Sequence, residues 1–428
     1  MDTRYRSNNS RSQRGATAVQ ILVILVPVLF GLIGFAIDLG VIYVVKGELK
    51  TAANSMALAA AQQLIGTDVA TDAASAAAQL TVQNGANIGN KYDFNGIPIG
   101  QVTNNLVSTA PPPSYFSAAA DALAASSNGG VGAVGGLQAK YAVSTISGQV
   151  PLVFWNFLPV VTSRNISVVA TAVAGISAPL CTACGIEPFA IDAIDPTDTT
   201  NFGYTLNELY SFTYLCTGIP VPAPLAGSSQ ELSYVLLNRL DPNAVVYPDE
   251  GSQIYRDAAG GLPGNTNSAI ACFTINNTEV IWANAAPVAC SAAAPAPVVT
   301  DALCGLDSRF ELSANPACEA IVGFDVLSTI YPVDTDLNTY TVYTDYTGSG
   351  RRIITIPIVD AISATANMTV LGFRQFLLMP AEGGTAINPD DPNGRFVAMY
   401  IGSVAPVKQG RFDGCTQTAG PGKVVLHQ

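Results

Sequence analysis

The sequence predicts an α+β protein: a single N-terminal transmembrane helix continuing into an Ala-rich stalk, then a β-rich extracytoplasmic region stapled by disulfides. Three observations predict it. The run from Ala16 to Ile37 holds no charge, and at ~1.5 Å per residue it reaches roughly 33 Å, enough to cross a hydrocarbon core of about 30 Å. After Lys140 the chain turns rich in Val, Ile and Thr, residues that suit a pleated strand. The eight cysteines are an even number, as bridges formed in an oxidising compartment require.

Each element follows from its residues. Arg4, Arg6, Arg11 and Arg14 precede the apolar run against one acid, Asp2, so the positive-inside rule sets a basic tail, residues 1–14, in the cytoplasm and the bulk of the chain outside. The competing reading, a secretory leader removed after export, fits less well. The apolar core is longer than the usual ~7–15 residues, and no A-x-A-like site follows. The membrane helix is expected over 15–45, and apolar spacing at Leu49, Ala53, Met56, Ala57 and Ala60 carries it into a stalk over 46–88. A break is expected at "IGTD", with Thr67 or Asp68 capping a second Ala-rich helix to about Gln83. Ala-rich faces allow close helix approach, within the chain or with a partner.

An α/β membrane-proximal part is expected over 89–178, with "NGANIGN", "TAPPPSYF" and "NGGVGAVGG" as loops and "YAVSTISGQVP" and "RNISVVATAVAGI" as strands. "FWNFLPVV" is broken by Asn156, Pro159 and Arg164 and reads as buried core or hairpin rather than a second span. Residues 179–345 read as a Cys-rich loop and strand segment, with "APVACSAAAPAPVV" as a Pro/Ala linker and "YTVYTDY" as strand. Residues 346–428 read as C-terminal strands packing back on the core: "RRIITIPIVD", "MTVLGFRQFLLM" and "GRFVAMYIG".

Composition and motifs argue against several functions. The chain carries −12, and because Arg4, Arg6, Arg11 and Arg14 against Asp2 leave the first 14 residues at +3, the remainder is −15. That is a poor surface for nucleic acid, with Arg351 and Arg352 the one basic pair. The single histidine, His427, stands one residue from the end, on what reads as a loose tail, so Ser-His-Asp or Cys-His catalysis is not expected. "GVGAVG", Gly130 to Gly135, matches G-x-G-x-x-G without a preceding strand or a following acid and reads as a loop.

"CTAC" could be a redox pair or half a zinc site, but it lacks a second ligand pair and sits between Pro and Gly residues, so a structural disulfide role is expected. The disulfide candidates are Cys181, Cys184, Cys216, Cys272, Cys290, Cys304, Cys318 and Cys415. If all eight pair, Cys415 must bridge back to the middle segment.

Carboxylates cluster at Asp192/Asp195/Asp198, at Asp334/Asp336/Asn338/Asp345 and at Asp390/Asp391. The second set has oxygen ligands at EF-hand positions 1, 3, 5 and 12, but Thr339 replaces the sharp-turn glycine. The third reads as a turn. A glycosidase pair lacks positioning groups. No catalytic residue, metal site, cofactor or small-molecule substrate is expected.

"RGATAVQ" before the apolar run, Pro27 within it, "GFAIDLGVIY" from Gly34 to Tyr43 and "LKTAANSMALAAA" from Leu49 to Ala61 resemble the N-terminal segment of TadG-like and TadE-like tight-adherence (Flp) pilus assembly proteins. "VTSRNISVVATAVAG", "RRIITIPIVD", "VLGFRQFLL" and "GRFV" echo strands of some members. The resemblance implies a non-enzymatic, single-pass protein of the bacterial inner membrane with its bulk in the periplasm, contacting other pilus assembly proteins or pseudopilins. It marks Gly15, Gln20, Pro27, Asp38 and Tyr43 as membrane-helix and candidate partner-contact positions. Related prepilins are cleaved after a glycine followed five residues later by glutamate; Gln20 stands at that place here, so an uncleaved TadG-like anchor is expected rather than a processed pseudopilin. The D-x-S-x-S motif of members with a von Willebrand factor A domain does not occur. The alternative reading is a membrane-anchored binding module or adhesin using the Cys-rich middle segment.

Overall fold

The computed structural model describes residues 10–82, 108–128, 133–152, 165–216, 221–237, 253–261, 272–275, 297–310, 318, 333–363, 368–380, 387–412 and 415–427. The chain forms two compact units: Met1–Met56 with Gln79–Pro112 and Ser144–Ala172, and Ala57–Ala78 with Pro113–Val143 and Val173–Gln428. The expected "NGANIGN" loop, the "FWNFLPVV" hairpin, Gly130 and Cys290 lie outside the described residues.

A single helix, α1 (Ser10–Gln62), begins in the first unit and contains Pro27. Within that unit its buried positions are Gly34, Asp38, Val45, Leu49, Ala52, Ala53 and Met56, a stripe at helical spacing. Strand β1 (Ser108–Thr109) pairs antiparallel with β3 (Tyr141–Pro151) at Ser147 and Gly148. The neighbour of β3 is β4 (Asn165–Ile176). Thr171 on β4 receives the ammonium of Lys50 on its carbonyl at 2.7 Å, which pins the helix to the strand.

In the second unit α1 ends in Ala57, Ala60 and Ala61, all fully buried. The break falls where expected, and α2 (Ala70–Leu80) follows. The hydroxyl of Thr67 is buried with no hydrogen-bond partner, so that side chain does not make the expected cap. Gly136 lies against this turn: a Cβ there would meet the carbonyl oxygens of Thr67 and Asp68. "TAPPPSYF" is not wholly loop: besides β1 it supplies β2 (Ser114–Phe116), which pairs with Tyr141–Val143. Helix α3 (Ala119–Asn128) follows and seats Ala122 and Ala125 in a small core with Phe116 and Val173.

The centre of this unit is a closed six-stranded barrel. Its strands are β6 (Phe189–Asp192), β7 (Leu209–Tyr214), β8 (Gln230–Leu236), β10 (Ile353–Val359), β11 (Val370–Leu378) and β12 (Phe396–Gly402). Around the barrel the order is β10-β11-β12-β7-β8-β6. β6 runs parallel to β10 and β7 parallel to β8; the other pairs are antiparallel. Strand periodicity explains its filling. Ile354, Ile356 and Ile358 face one core with Phe189, Phe212, Tyr234, Phe376 and Phe396, and Phe212 stacks on Phe396 at 4.7 Å. Alternate residues, among them Ala190, Val235, Val359 and Phe373, face a second cluster. Closure removes the sheet edges that would otherwise invite pairing with other chains.

The middle segment is more regular than its loop-rich texture predicts. It supplies three barrel strands, β5 (Thr182–Cys184), β9 (Cys272–Thr274), α4 (Gln253–Ala259) and α5 (Pro297–Asp307). The expected Pro/Ala linker therefore ends in a helix that opens on Pro297, where a missing N–H costs nothing. It buries Val299, Ala302, Leu303 and Leu306 against the barrel core. "YTVYTDY" is not a strand: Tyr343–Asp345 is a 3₁₀ turn, and its backbone is held elsewhere, by Tyr343 N donating to Asn207 Oδ1 and Asp68 N donating to Thr344 O.

β13 (Gln409–Arg411), β5 and β9 form a three-stranded sheet. Bridges Cys181–Cys415, Cys184–Cys272 and Cys304–Cys318 staple the unit. The last strand, β14 (Val424–His427), pairs with Val173–Ile176 of β4, so His427 sits in a sheet, edge-on to Tyr141, and not on the loose tail that its position predicts.

Candidate functional site

The anchor helix is the first feature with an evident use. From Ala18 onward it is long and apolar enough to cross a membrane, and its large apolar side chains, from Val19 to Leu39, are at least 38% exposed in the isolated chain. An uncovered apolar surface of that extent needs lipid or protein around it. Gly15 and Pro27 lie inside the helix and Gln20 is exposed on it. Tyr43, 73% exposed, stands near the end of the apolar stretch, a place that suits an aromatic ring at a membrane interface. Asp38 differs from them: it is 2% exposed and lies on the buried stripe within its own unit.

The two cysteines of "CTAC" do not pair with each other. Cys181 reaches Cys415 and Cys184 reaches Cys272, its register partner on β9. Cys216 is also disulfide-bonded.

The carboxylate clusters are occupied by the protein's own donors. Asp195 accepts from Thr197, and Asp198 from the backbone of Thr200, Asn201 and Gly203. These bonds hold both carboxyls below their ordinary value. Asp334 takes the N–H of Asp336, the hydroxyl of Tyr346 and the N–H of Arg352. Asp336 takes Asn338, Tyr340 and both donors of Thr347. Burial pushes the Asp336 carboxyl up, but these donors prevail and hold it well below the usual range. A calcium ion there would have to displace them. Asp391 is ion-paired to Arg395 at 2.8 Å.

Sequence reading missed the buried arginines that organise the barrel. Arg352, half of the one basic pair, is fully buried among the rings of Phe310, Tyr340 and Tyr346. Arg374 lies over Phe202 at 4.4 Å and donates to the carbonyls of Thr199 and Thr200. Arg309 pairs with Glu187 at 2.7 Å and donates to the carbonyls of Ala259, Arg351 and Ile353. Glu231 is half-buried, and burial pushes its carboxyl up to about 7 against the pull of Arg395 and of the Ser211 hydroxyl. Among the described residues no group of three or more His, Cys, Asp or Glu side chains is arranged to hold a metal ion.

Anchor and barrel together define a class: α+β proteins with one membrane-length N-terminal helix and a disulfide-stapled β-rich body. Residues 15–63, which are most of α1, match the family model described as putative Flp pilus-assembly TadE/G-like. This is the resemblance carried by "RGATAVQ", "GFAIDLGVIY" and "LKTAANSMALAAA". No curated protein and no solved structure gave a significant match to the chain.

Proposed function

We propose that the protein is a non-enzymatic component of Flp-type pilus assembly. It is anchored in the bacterial inner membrane by α1, with its N-terminus in the cytoplasm and its barrel in the periplasm, and works through protein–protein contacts. The match of the family model to the anchor helix carries this reading. The basic residues before the helix support the orientation, and the disulfides support an oxidising compartment for the rest. Gly15, Gln20, Pro27, Asp38 and Tyr43 are the positions proposed to face partner helices or the bilayer.

The test is piliation of cells lacking the protein, complemented with the intact chain, with Asp38→Ala, or with residues 15–63 replaced by an unrelated apolar helix. The expected result is restored pili with the intact chain only, while both variants still reach the membrane. Normal pili without the protein would sink the proposal. If surface attachment alone were then lost, the adhesin reading would take its place.

A further inference from the structure

The three bridges found among the described residues differ in access. Cys304 and Cys318 are each 0% exposed, and Cys181, bridged to Cys415, is 2% exposed. The Cys184–Cys272 bridge stands apart: Cys272 is exposed and Cys184 is part-exposed. Exchange requires an incoming thiolate to reach one of the two sulfurs, so access selects which bridge reacts.

The fate of the leaving sulfur matters as much. Cys184, with Gly185 and Ile186, lines a cavity of about 460 Å³ within the second unit, a size that admits a small molecule. A sulfur that departs as thiolate needs hydration, which such a cavity supplies and an apolar core does not. The fully buried Cys304–Cys318 bridge offers neither approach nor hydration.

The surroundings hold without this bridge. β5 and β9 stay paired from Thr182↔Thr274 to Cys184↔Cys272, and the hydroxyls of Thr182 and Thr274 lie 2.9 Å apart in a hydrogen bond. Ile275 N donates to Cys181 O at 2.8 Å. Phe273 packs with Leu180 and Ala183 in a common core. On its other side β5 is paired with β13, and Cys181–Cys415 still ties this segment to the C-terminal region.

We propose that Cys184–Cys272 is a thiol–disulfide exchange site, opened reversibly by a low-molecular-weight thiol while Cys181–Cys415 and Cys304–Cys318 stay closed. The external thiolate attacks Sγ of Cys272, the bond to Cys184 breaks, and Cys184 leaves as a thiolate that takes a proton from water. A second external thiolate then attacks the mixed disulfide, forming the external disulfide and releasing Cys272. Two thiols are thereby oxidised to one disulfide, and the protein bridge gains two electrons and two protons. The site is independent of the pilus reading and stands or falls separately from it.

The experiment is titration of the folded full chain in neutral detergent with reduced glutathione, followed by alkylation with N-ethylmaleimide and peptide mapping by mass spectrometry. Cys184 and Cys272 should become alkylated at glutathione concentrations at least about tenfold below those that open Cys181–Cys415 or Cys304–Cys318, with the thermal transition still cooperative. Acid quenching at early times should show the glutathione adduct on Cys272. Cys184→Ser/Cys272→Ser should keep a cooperative transition and lose the reaction at low glutathione; the alkylation map of the parent decides the matter even if this variant does not fold. If another of these bridges opens first, or all open together as the protein unfolds, the proposal is wrong. An adduct on Cys184 in place of Cys272 would overturn the assigned point of attack.

Discussion

Arg309 shows how a single buried cation organises this protein. Its guanidinium is 2% exposed and holds Glu187 and three backbone carbonyls at once. Removing it leaves Glu187 buried without its counter-ion, which typically costs about 3–5 kcal/mol. Arg309→Met should therefore lower stability by about that amount in chemical denaturation. The Arg309→Met/Glu187→Gln double variant should lose less than the sum of the two singles. Glu231 gives a pH-dependent counterpart. Its folded-state pKa, about 7, is above its ordinary value, so the protonated form favours folding. Its contribution is complete below the unfolded value near 4.5 and is lost as pH rises through about 7. Glu231→Gln should accordingly match the parent's thermal midpoint at pH 4.5 and exceed it at pH 8. Equal midpoints at both pH values would show that the carboxylate is better solvated than its burial implies.

The stapled sheet and the α1–α2 turn carry the predictions that belong to secondary structure. Cys184–Cys272 links two positions already in register on β5 and β9, while Cys304–Cys318 ties α5 across a separation of 14 residues. Loops near that length gain about 3 kcal/mol from closure, so Cys304→Ala/Cys318→Ala should lower stability by roughly that amount. No shift in the denaturation midpoint would show that α4 and the barrel hold α5 unaided. At the turn, Gly136→Ala forces a methyl into the carbonyls of Thr67 and Asp68. A loss of 1–3 kcal/mol or so is expected, as for other overpacked sites.

These elements also show what the sequence made legible. β10, β11 and β12 were readable because long runs such as "IITIPIV" and "FVAMYIG" are apolar on both faces, as barrel strands between two cores must be. β6 was not, because "FAID" is four residues long and gains its burial from β8 and β10 far along the chain. A signal for α5 was present at Val299, Ala302, Leu303 and Leu306, spaced i, i+3, i+4 and i+7, but the Pro/Ala texture before it concealed it. Asp38 was legible as the one charge in an apolar stretch. The grouping of Glu187, Arg309, Arg351 and Lys408 along one cavity was not, since these residues stand far apart in the sequence.

At the scale of the whole molecule, one helix sets how the protein is recovered from cells. Alkaline carbonate should leave it in the membrane pellet and detergent should release it, and recovery in the carbonate wash would rule out a spanning α1. The barrel has a further consequence in time. β6, β7 and β8 leave the ribosome first, but β6 finds its parallel neighbour only when β10 arrives, and β12 must follow before the ring closes. At about 5–20 residues per second, synthesis of the stretch from Leu236 to Ile353 takes roughly 6–25 s. Through that interval the aromatic residues of β6, β7 and β8 have no closed barrel to enclose them, the kind of exposure that makes an incomplete chain prone to aggregate.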